Sequence, residues 1–319
     1  MTEQCIENDD NVEITLENTI KHRTVNIQDY ITQYNNDYSV LLILNQEIAI
    51  REAFLKLWDL YKIRICADGG ANRLYDFFED DEELRLKHLP DYIVGDLDSL
   101  SDNVKEYYSK NHVVIIRQST QYSTDFMKCV QLISLHFNSQ TFKTLLSTET
   151  NGIANNYGIT ELDGLLRLHK ERKAQKKKET IHNINVLALG GIDGRFDQTM
   201  HSISQLYVLS KSDSYIKLSY LTPTDLIILL PSGATLLKYS QEFKNDCIGN
   251  VGLLPIGQPA QIIETRGLKW DILNWNTSIP TGKLSSSNRF AGSNGCYIHT
   301  KDDLVFNIEI NLKKLSKYL

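Results

Sequence analysis

From Tyr38 onward, short apolar runs alternate with stretches whose apolar residues recur at helical spacing. Ser39-Val40-Leu41-Leu42-Ile43-Leu44 reads as a buried strand, and Ala49 to Tyr61 follows with a helical period. Ile63 to Ala67 reads as a second strand. The alternation continues through Tyr92-Ile93-Val94, a helix from Asp102 to Ser109, and Val113 to Ile116. Next comes a helix with Phe126, Val130, Ile133 and Phe137 on one face, and later a strand at Ile184 to Leu189 and a helix from Phe196 to Ser210. This rhythm predicts an α/β fold, a mainly parallel sheet flanked by helices. After Ser214 the pattern shortens to alternating segments at 216–221, 226–230, 235–239, 261–265 and 304–310, separated by Pro, Gly and Asn. These predict a following all-β domain of sandwich type.

Two stretches break the rhythm. Residues 1–36 are rich in Asn, Asp, Glu and Thr without an apolar period, and read as a flexible N-terminal extension. Residues 148–183 are polar and contain Lys170-Glu171-Arg172-Lys173-Ala174-Gln175-Lys176-Lys177-Lys178. They read as an insertion whose basic run is a solvated helix end rather than a nuclear signal or a patch for an acidic partner. The expected division is therefore the extension at 1–36, an α/β domain at 37–212 carrying the insertion, and a β-sandwich domain at 213–319.

Composition narrows the function. A chain of 319 residues with 41% hydrophobic content is long enough for two packed cores. A formal charge of −6 argues against nucleic-acid binding and suits a site that gathers magnesium, a metal-bound nucleotide or a cationic substrate. The five cysteines include no Cys-x-x-Cys pair, so neither a zinc site nor a disulfide framework is expected, and a reducing compartment fits. The start of the chain lacks the apolar core of a signal peptide, and no apolar run is long enough to span a bilayer. The expectation is a cytoplasmic protein with no membrane partner.

The candidate chemistry lies in carboxylates that follow predicted strands. In an extended segment residues two apart share a side, so Asp96 and Asp98 of Gly95-Asp96-Leu97-Asp98-Ser99 can converge on one hard cation. Asp68-Gly69-Gly70 joins a strand to a helix. It reads either as a turn whose backbone approaches a phosphate or as a plain turn capped by Asp. Asp125 falls in the first turn of its helix, where the helix dipole alone favours a carboxylate. Gly190-Gly191-Ile192-Asp193-Gly194-Arg195-Phe196-Asp197-Gln198 is a second strand-to-helix loop. Its Arg195 suits a phosphate or a neighbouring Asp. Neither Gly-x-x-x-x-Gly-Lys-Ser/Thr nor Gly-x-Gly-x-x-Gly occurs. Trp270, and the run Ser285-Ser286-Ser287-Asn288, read either as ligand contacts or as a core tryptophan and a polar turn.

Seven segments in one order carry a resemblance: Cys66 to Asp76, Gly95 to Ser99, Gln121 with Ser123 to Phe126, Gly190 to Gln198, Gly252 to Gly257, Gly267 to Trp270, and Ser286 to Asn288. Together they resemble the thiamine pyrophosphokinase family, from about Tyr38 to near the C-terminus. The resemblance implies a catalytic, nucleotide-binding α/β domain, a thiamine-binding sandwich, and a homodimer with active sites at the interface. It implies that ATP and thiamine give thiamine diphosphate and AMP, with Mg2+ held by Asp68, Asp96, Asp98 and Asp125. Catalysis would fall to Asp68, Asp98, Asp125 and Arg195, with Asp68 or Asp98 accepting the hydroxyl proton. Gly69, Gly70, Asn72, Gln121, Thr124, Gly191, Arg195 and Asp197 would hold the nucleotide. Asp96, Ser99, Trp270, Ser286, Ser287 and Asn288 would hold thiamine. The extension and the insertion depart from the compact family pattern, and Gln198 stands where many members carry His.

Two other classes share these features. Asp-x-Asp is also the metal motif of nucleotide-sugar glycosyltransferases, which hydrolysis or transfer of a UDP-sugar would reveal. A silent thiamine or nucleotide sensor would bind ligand and release no AMP; the intact acidic set argues against it.

Overall fold

The computed structural model describes residues 2–17, 20–32, 36–147, 159, 162–175 and 180–319. Two strands come first, β1 (Gln4–Glu7) and β2 (Arg23–Asn26). The α/β portion follows: β3 (Ser39–Ile43), α1 (Arg51–Leu60), β4 (Ile63–Ala67), α2 (Gly70–Phe77), α3 (Glu82–Lys87), β5 (Tyr92–Gly95), α4 (Asp102–Lys110), β6 (Val114–Arg117), α5 (Asp125–Asn138), α6 (Gln140–Ser147), α7 (Gly164–Ala174), β7 (Ile184–Leu189) and α8 (Phe196–Ser212). The rest is mostly strand: β8 (Ile216–Leu221), β9 (Asp225–Leu230), β10 (Gly233–Lys238), α9 (Gln241–Cys247), β11 (Ile248–Leu254), β12 (Ala260–Arg266), β13 (Trp270–Thr277), β14 (Ser285–Arg289), β15 (Cys296–Thr300), β16 (Leu304–Ile310) and α10 (Leu312–Leu315).

Ten strands form one sheet in the order β14-β11-β16-β9-β8-β7-β3-β4-β5-β6. The six from β8 to β6 are parallel, and the other four are added antiparallel. Central β3 is buried on both faces, which explains its unbroken apolar run. Its alternate residues serve opposite cores. Leu41 and Ile43 meet Phe54, Leu57, Leu74 and Tyr108 of α1, α2 and α4, while Val40 and Leu42 join Phe126, Cys129, Ile133 and Leu206 of α5 and α8. The chain winds outward from β3 through β4 and β5 to β6, then returns to β7 on the other side of β3. That reversal opens a crevice at the carboxyl ends of the strands, where such sheets bind ligands. The second sheet, β1-β13-β12-β15-β10-β2, packs Ile262, Leu268 and Ile298 in one core with Phe306 and Ile308 of the large sheet. Among the described residues no helix is long and apolar enough to cross a membrane.

Three expectations change. The first concerns residues 1–36, which are not a loose extension where described: β1 pairs antiparallel with β13, β2 pairs parallel with β10, and Ile27 and Ile31 are fully buried. The apolar period was missing because β1 is an edge strand with every side chain exposed. The second concerns the boundary at 213, which cuts a continuous sheet: β8 pairs parallel with β7 and belongs with the α/β strands. The third concerns the insertion, whose helix α7 is docked rather than an excursion. Leu165 N donates to Gln118 Oε1 at 2.8 Å, and Asp213 accepts from Lys173 Nζ at 3.0 Å and from Tyr215 at 2.8 Å. Lys170 and Lys173 are exposed on α7, while Lys176, Lys177 and Lys178 lie outside the described residues.

Candidate active site

The crevice is a cleft of about 390 Å3 between the ends of β3, β4, β5 and β7 and the first turns of α5 and α8. Asp68, just past β4, adopts a left-handed backbone (φ +44) and is 3% exposed. Its Oδ2 accepts from Ser99 N at 3.2 Å, and its Oδ1 is buried without a hydrogen-bond partner. Burial, then the charge of Asp125, push its carboxyl up to about 7. Gly95 permits this crowding: a Cβ there would lie 2.6 Å from Asp68 Cβ and 3.2 Å from Asp125 Oδ1.

Past β5, Leu97 (φ +67) turns the chain so that Asp96 and Asp98 approach Asp68. One oxygen from each of the three carboxylates lies within 4.8 Å of the others. Asp96 Oδ1 accepts from Asp98 N at 3.2 Å and its Oδ2 from Gln121 Nε2 at 2.8 Å. Partial burial raises the Asp96 pKa, but these hydrogen bonds and the Lys128 charge outweigh it and hold the carboxyl below its ordinary value. Asp125 stands beside the trio rather than within it. Its Oδ1 takes Lys128 Nζ at 2.9 Å and Asp96 N at 3.3 Å, and burial still raises its carboxyl.

Of the other expected residues, Gly69, Ser99, Gln121, Thr124, Gly191 and Arg195 line the cleft. Gly70 starts α2 against the Ile43 carbonyl, where a Cβ would collide with backbone. Asn72 is spent on the loop after β5, donating to Ser99 O at 2.7 Å and accepting from Ser101 N at 3.1 Å. Arg195 is exposed and clasps Asp197, Nη2 to Oδ2 at 2.7 Å. The sandwich residues stand apart. None of Trp270, Ser286, Ser287 and Asn288 lines this cleft. Asn288 is buried and clamps β13, accepting from Trp270 N at 3.1 Å and donating to Trp270 O at 2.8 Å. Ser286 and Ser287 are exposed on the edge strand β14.

Several cleft residues escaped the sequence reading. Lys128, 2% exposed, pairs with Asp125 and reaches Asp96 Oδ2 at 3.7 Å. A lysine inside an otherwise apolar helix, three residues after Asp125, was the available signal. Asn45 and Gln46 come one residue after the end of β3, and their place at a strand's carboxyl end could have marked them. His201, whose Nε2 lies 3.1 Å from Thr124 Oγ1, carried no comparable cue.

A parallel sheet with converging carboxylates at its carboxyl edge, continued into a β sandwich, defines a two-domain α/β enzyme with a cleft suited to a hard cation. Family models agree with that division: "Thiamin pyrophosphokinase, catalytic domain" matches residues 54–218, and "Thiamin pyrophosphokinase, vitamin B1 binding domain" matches residues 238–305. The chain is 52% identical over 320 residues to thiamine pyrophosphokinase of Saccharomyces cerevisiae, covering 100% of both. Its structure resembles the crystal structure of yeast thiamin pyrophosphokinase with a TM-score of 0.94, at 52% identity, over 99% of this chain and 100% of that one. It also resembles thiamin pyrophosphokinase from Candida albicans with a TM-score of 0.81, at 35% identity, over 98% and 99%. The chain belongs to the thiamine pyrophosphokinase family and is an enzyme of that family.

Proposed function

We propose that this enzyme transfers the pyrophosphoryl group of ATP to the hydroxyl of thiamine, giving thiamine diphosphate and AMP. The observation that carries the reading is the convergence of Asp68, Asp96 and Asp98 within 4.8 Å at the cleft, in a chain of this family. An all-oxygen donor set, with Asp68 Oδ1 buried and unpaired, fits Mg2+. Asp68, Asp96 and Asp98 would hold the ion, and Asp125 would border it. Magnesium, when bound, supplies positive charge that offsets the phosphates and polarises the transferring group.

The chain's own groups do the rest. Gly69 and Gly70 let backbone N–H groups at the start of α2 approach the phosphates. Gln121 and Thr124 border the same space, and Arg195 exchanges Asp197 for the transferring group, whose charge it offsets. The thiamine oxygen forms a bond to the β-phosphorus as the bond from that phosphorus to the α,β-bridging oxygen breaks. The electron pair leaves on AMP, and the hydroxyl proton passes to Asp68 or Asp98.

Thiamine contacts by Trp270, Ser286, Ser287 and Asn288 call for a homodimer in which each sandwich faces the cleft of its partner. Their absence from the lining of their own cleft supports this, as do the exposed Phe196, Met200 and Val208 along α8. Five unpaired cysteines support a reducing, cytoplasmic setting. Chromatography of products from thiamine and magnesium ATP is the test. Equal thiamine diphosphate and AMP are expected; ADP in place of AMP would overturn the reading.

A further inference from the structure

We infer that the inserted helix α7 is a brace for the loop between β6 and α5, and that buried Gln118 is a positioning residue: through that loop it sets the Gln121 amide against Asp96 in the acidic cleft. The consequence for turnover rests on the proposed ATP-dependent reaction, whereas the brace itself does not. β6 ends the large sheet, so the loop that leaves it, residues 118–124, has a neighbouring strand end on one side only. The insertion supplies the other side. Gln118 is 1% exposed, and both ends of its amide are committed: Oε1 accepts from Leu165 N at 2.8 Å, while Nε2 donates to Arg117 O at 2.8 Å and to Ile159 O. Two residues on, Thr120 N donates to Leu162 O at 2.9 Å. Buried polar groups that lose such partners stay desolvated and unpaired, so these bonds fasten the loop to the insertion.

A brace must itself be held, and α7 is held along its length and at its far end. Leu165 is fully buried in one core with Phe126, Val130 and Ile133 of α5. Further along, His169 Nε2 lies 3.3 Å from Asp213 Oδ1, Arg172 Nη2 donates to Tyr215 OH at 2.6 Å, and Lys173 Nζ donates to Ser212 O at 2.7 Å. The helix therefore spans from the junction of α8 and β8 to the loop after β6. Its grip at Thr120 adjoins Gln121, whose Nε2 donates to Asp96 Oδ2 at 2.8 Å. An amide carried on a tethered backbone loses less freedom in making that bond than one carried on a free loop. The same loop runs on to Thr124, whose side chain caps α5 at the Met127 N–H.

Gln118→Met keeps the length of the side chain and removes the hydrogen bonds of its amide. Hydrogen exchange, steady-state kinetics and a double-mutant cycle with Gln121→Ala, all on the full chain, test the inference. Amides of residues 119–124 are expected to exchange about tenfold faster, with β3 and β4 unchanged, and KM for magnesium ATP to rise about tenfold. On a Gln121→Ala background the same substitution should change that KM by at most about twofold, because the route from Gln118 to Asp96 is already cut. Support of the fold alone would lower kcat through loss of folded protein and leave KM unmoved in both backgrounds, which overturns the positioning role. Loop exchange as slow as in the unaltered chain overturns the brace. Should Gln118→Met misfold, Lys173→Met replaces it, loosening the far end of α7 at an exposed position. Exchange at 119–124 is again expected to quicken and KM for magnesium ATP to rise, and no change in either overturns the inference. Quickened exchange in a chain that makes no thiamine diphosphate would keep the brace and remove the reaction.

Discussion

At Asp68 a left-handed backbone, near-complete burial and two neighbouring carboxylates meet at one residue. The carboxyl pKa is raised from 3.8 to about 7, so the folded chain holds this proton more tightly than the unfolded one. The resulting stability is full below pH 3.8 and is lost as pH rises through about 7. Above that the penalty is on the order of 4 kcal/mol, at about 1.36 kcal/mol per pH unit. Asp68→Asn, in the absence of divalent cations, should therefore raise Tm by several degrees at pH 8 and leave it unchanged near pH 4. Melting curves of both proteins at the two pH values check this, and equal shifts at both would refute it. Asp96 and Asp98 lie beyond the end of β5 and come together through the left-handed turn at Leu97, not through the strand alternation expected of them. The reach of Lys128 to Asp96 was not announced, because it needs α5 seated against the end of β5, whereas its pair with Asp125, three residues back on the same helix, is local.

Among the elements, β1 was the hardest to foresee, since it has no apolar face and gains its structure from an edge of the second sheet. Its hold continues at Asn8, whose amide donates to Leu268 O at 2.8 Å and to Asp271 Oδ2 at 2.6 Å. Asp271 Oδ2 in turn accepts from Gly267 N at 2.9 Å, fixing the turn into β13. Deleting residues 1–8 should cost about 1–3 kcal/mol, the scale of a few lost hydrogen bonds. Amide exchange should quicken in β13 and stay slow in β3 and β4. Urea melts with hydrogen exchange read both effects, and uniform exchange across the two sheets would contradict a local role. The central strands were legible for the opposite reason: burial on both faces demands apolar side chains at every position.

For the whole molecule, the proposed homodimer makes each site a product of two chains. Asp98→Asn disables a cleft, and Trp270→Ala disables the sandwich that serves the partner's cleft. In an equal, random mixture about a quarter of the sites would be intact, because half the dimers are mixed and each carries one wild-type cleft facing a wild-type sandwich. Co-expressed variants should therefore recover activity that neither shows alone, measured as thiamine diphosphate formed. No recovery in a mixed dimer isolated with two tags would place each site within one chain.

What the sequence determined by itself was the set of local periods and local turns: parallel strands with their helices, the later β-rich segments, and carboxylates placed just beyond strand ends. These follow from side-chain alternation, burial and turn chemistry, which act over a few residues. Only the tertiary structure decided that β8 and β9 carry one sheet across the expected boundary, that residues near the N-terminus complete the second sheet, and that Lys128 reaches Asp96 in the acidic cleft. Those features come from pairing and charge contacts between distant parts of the chain. Strand edges and buried ion pairs take their partners from the packed arrangement, so no short stretch of residues encodes them.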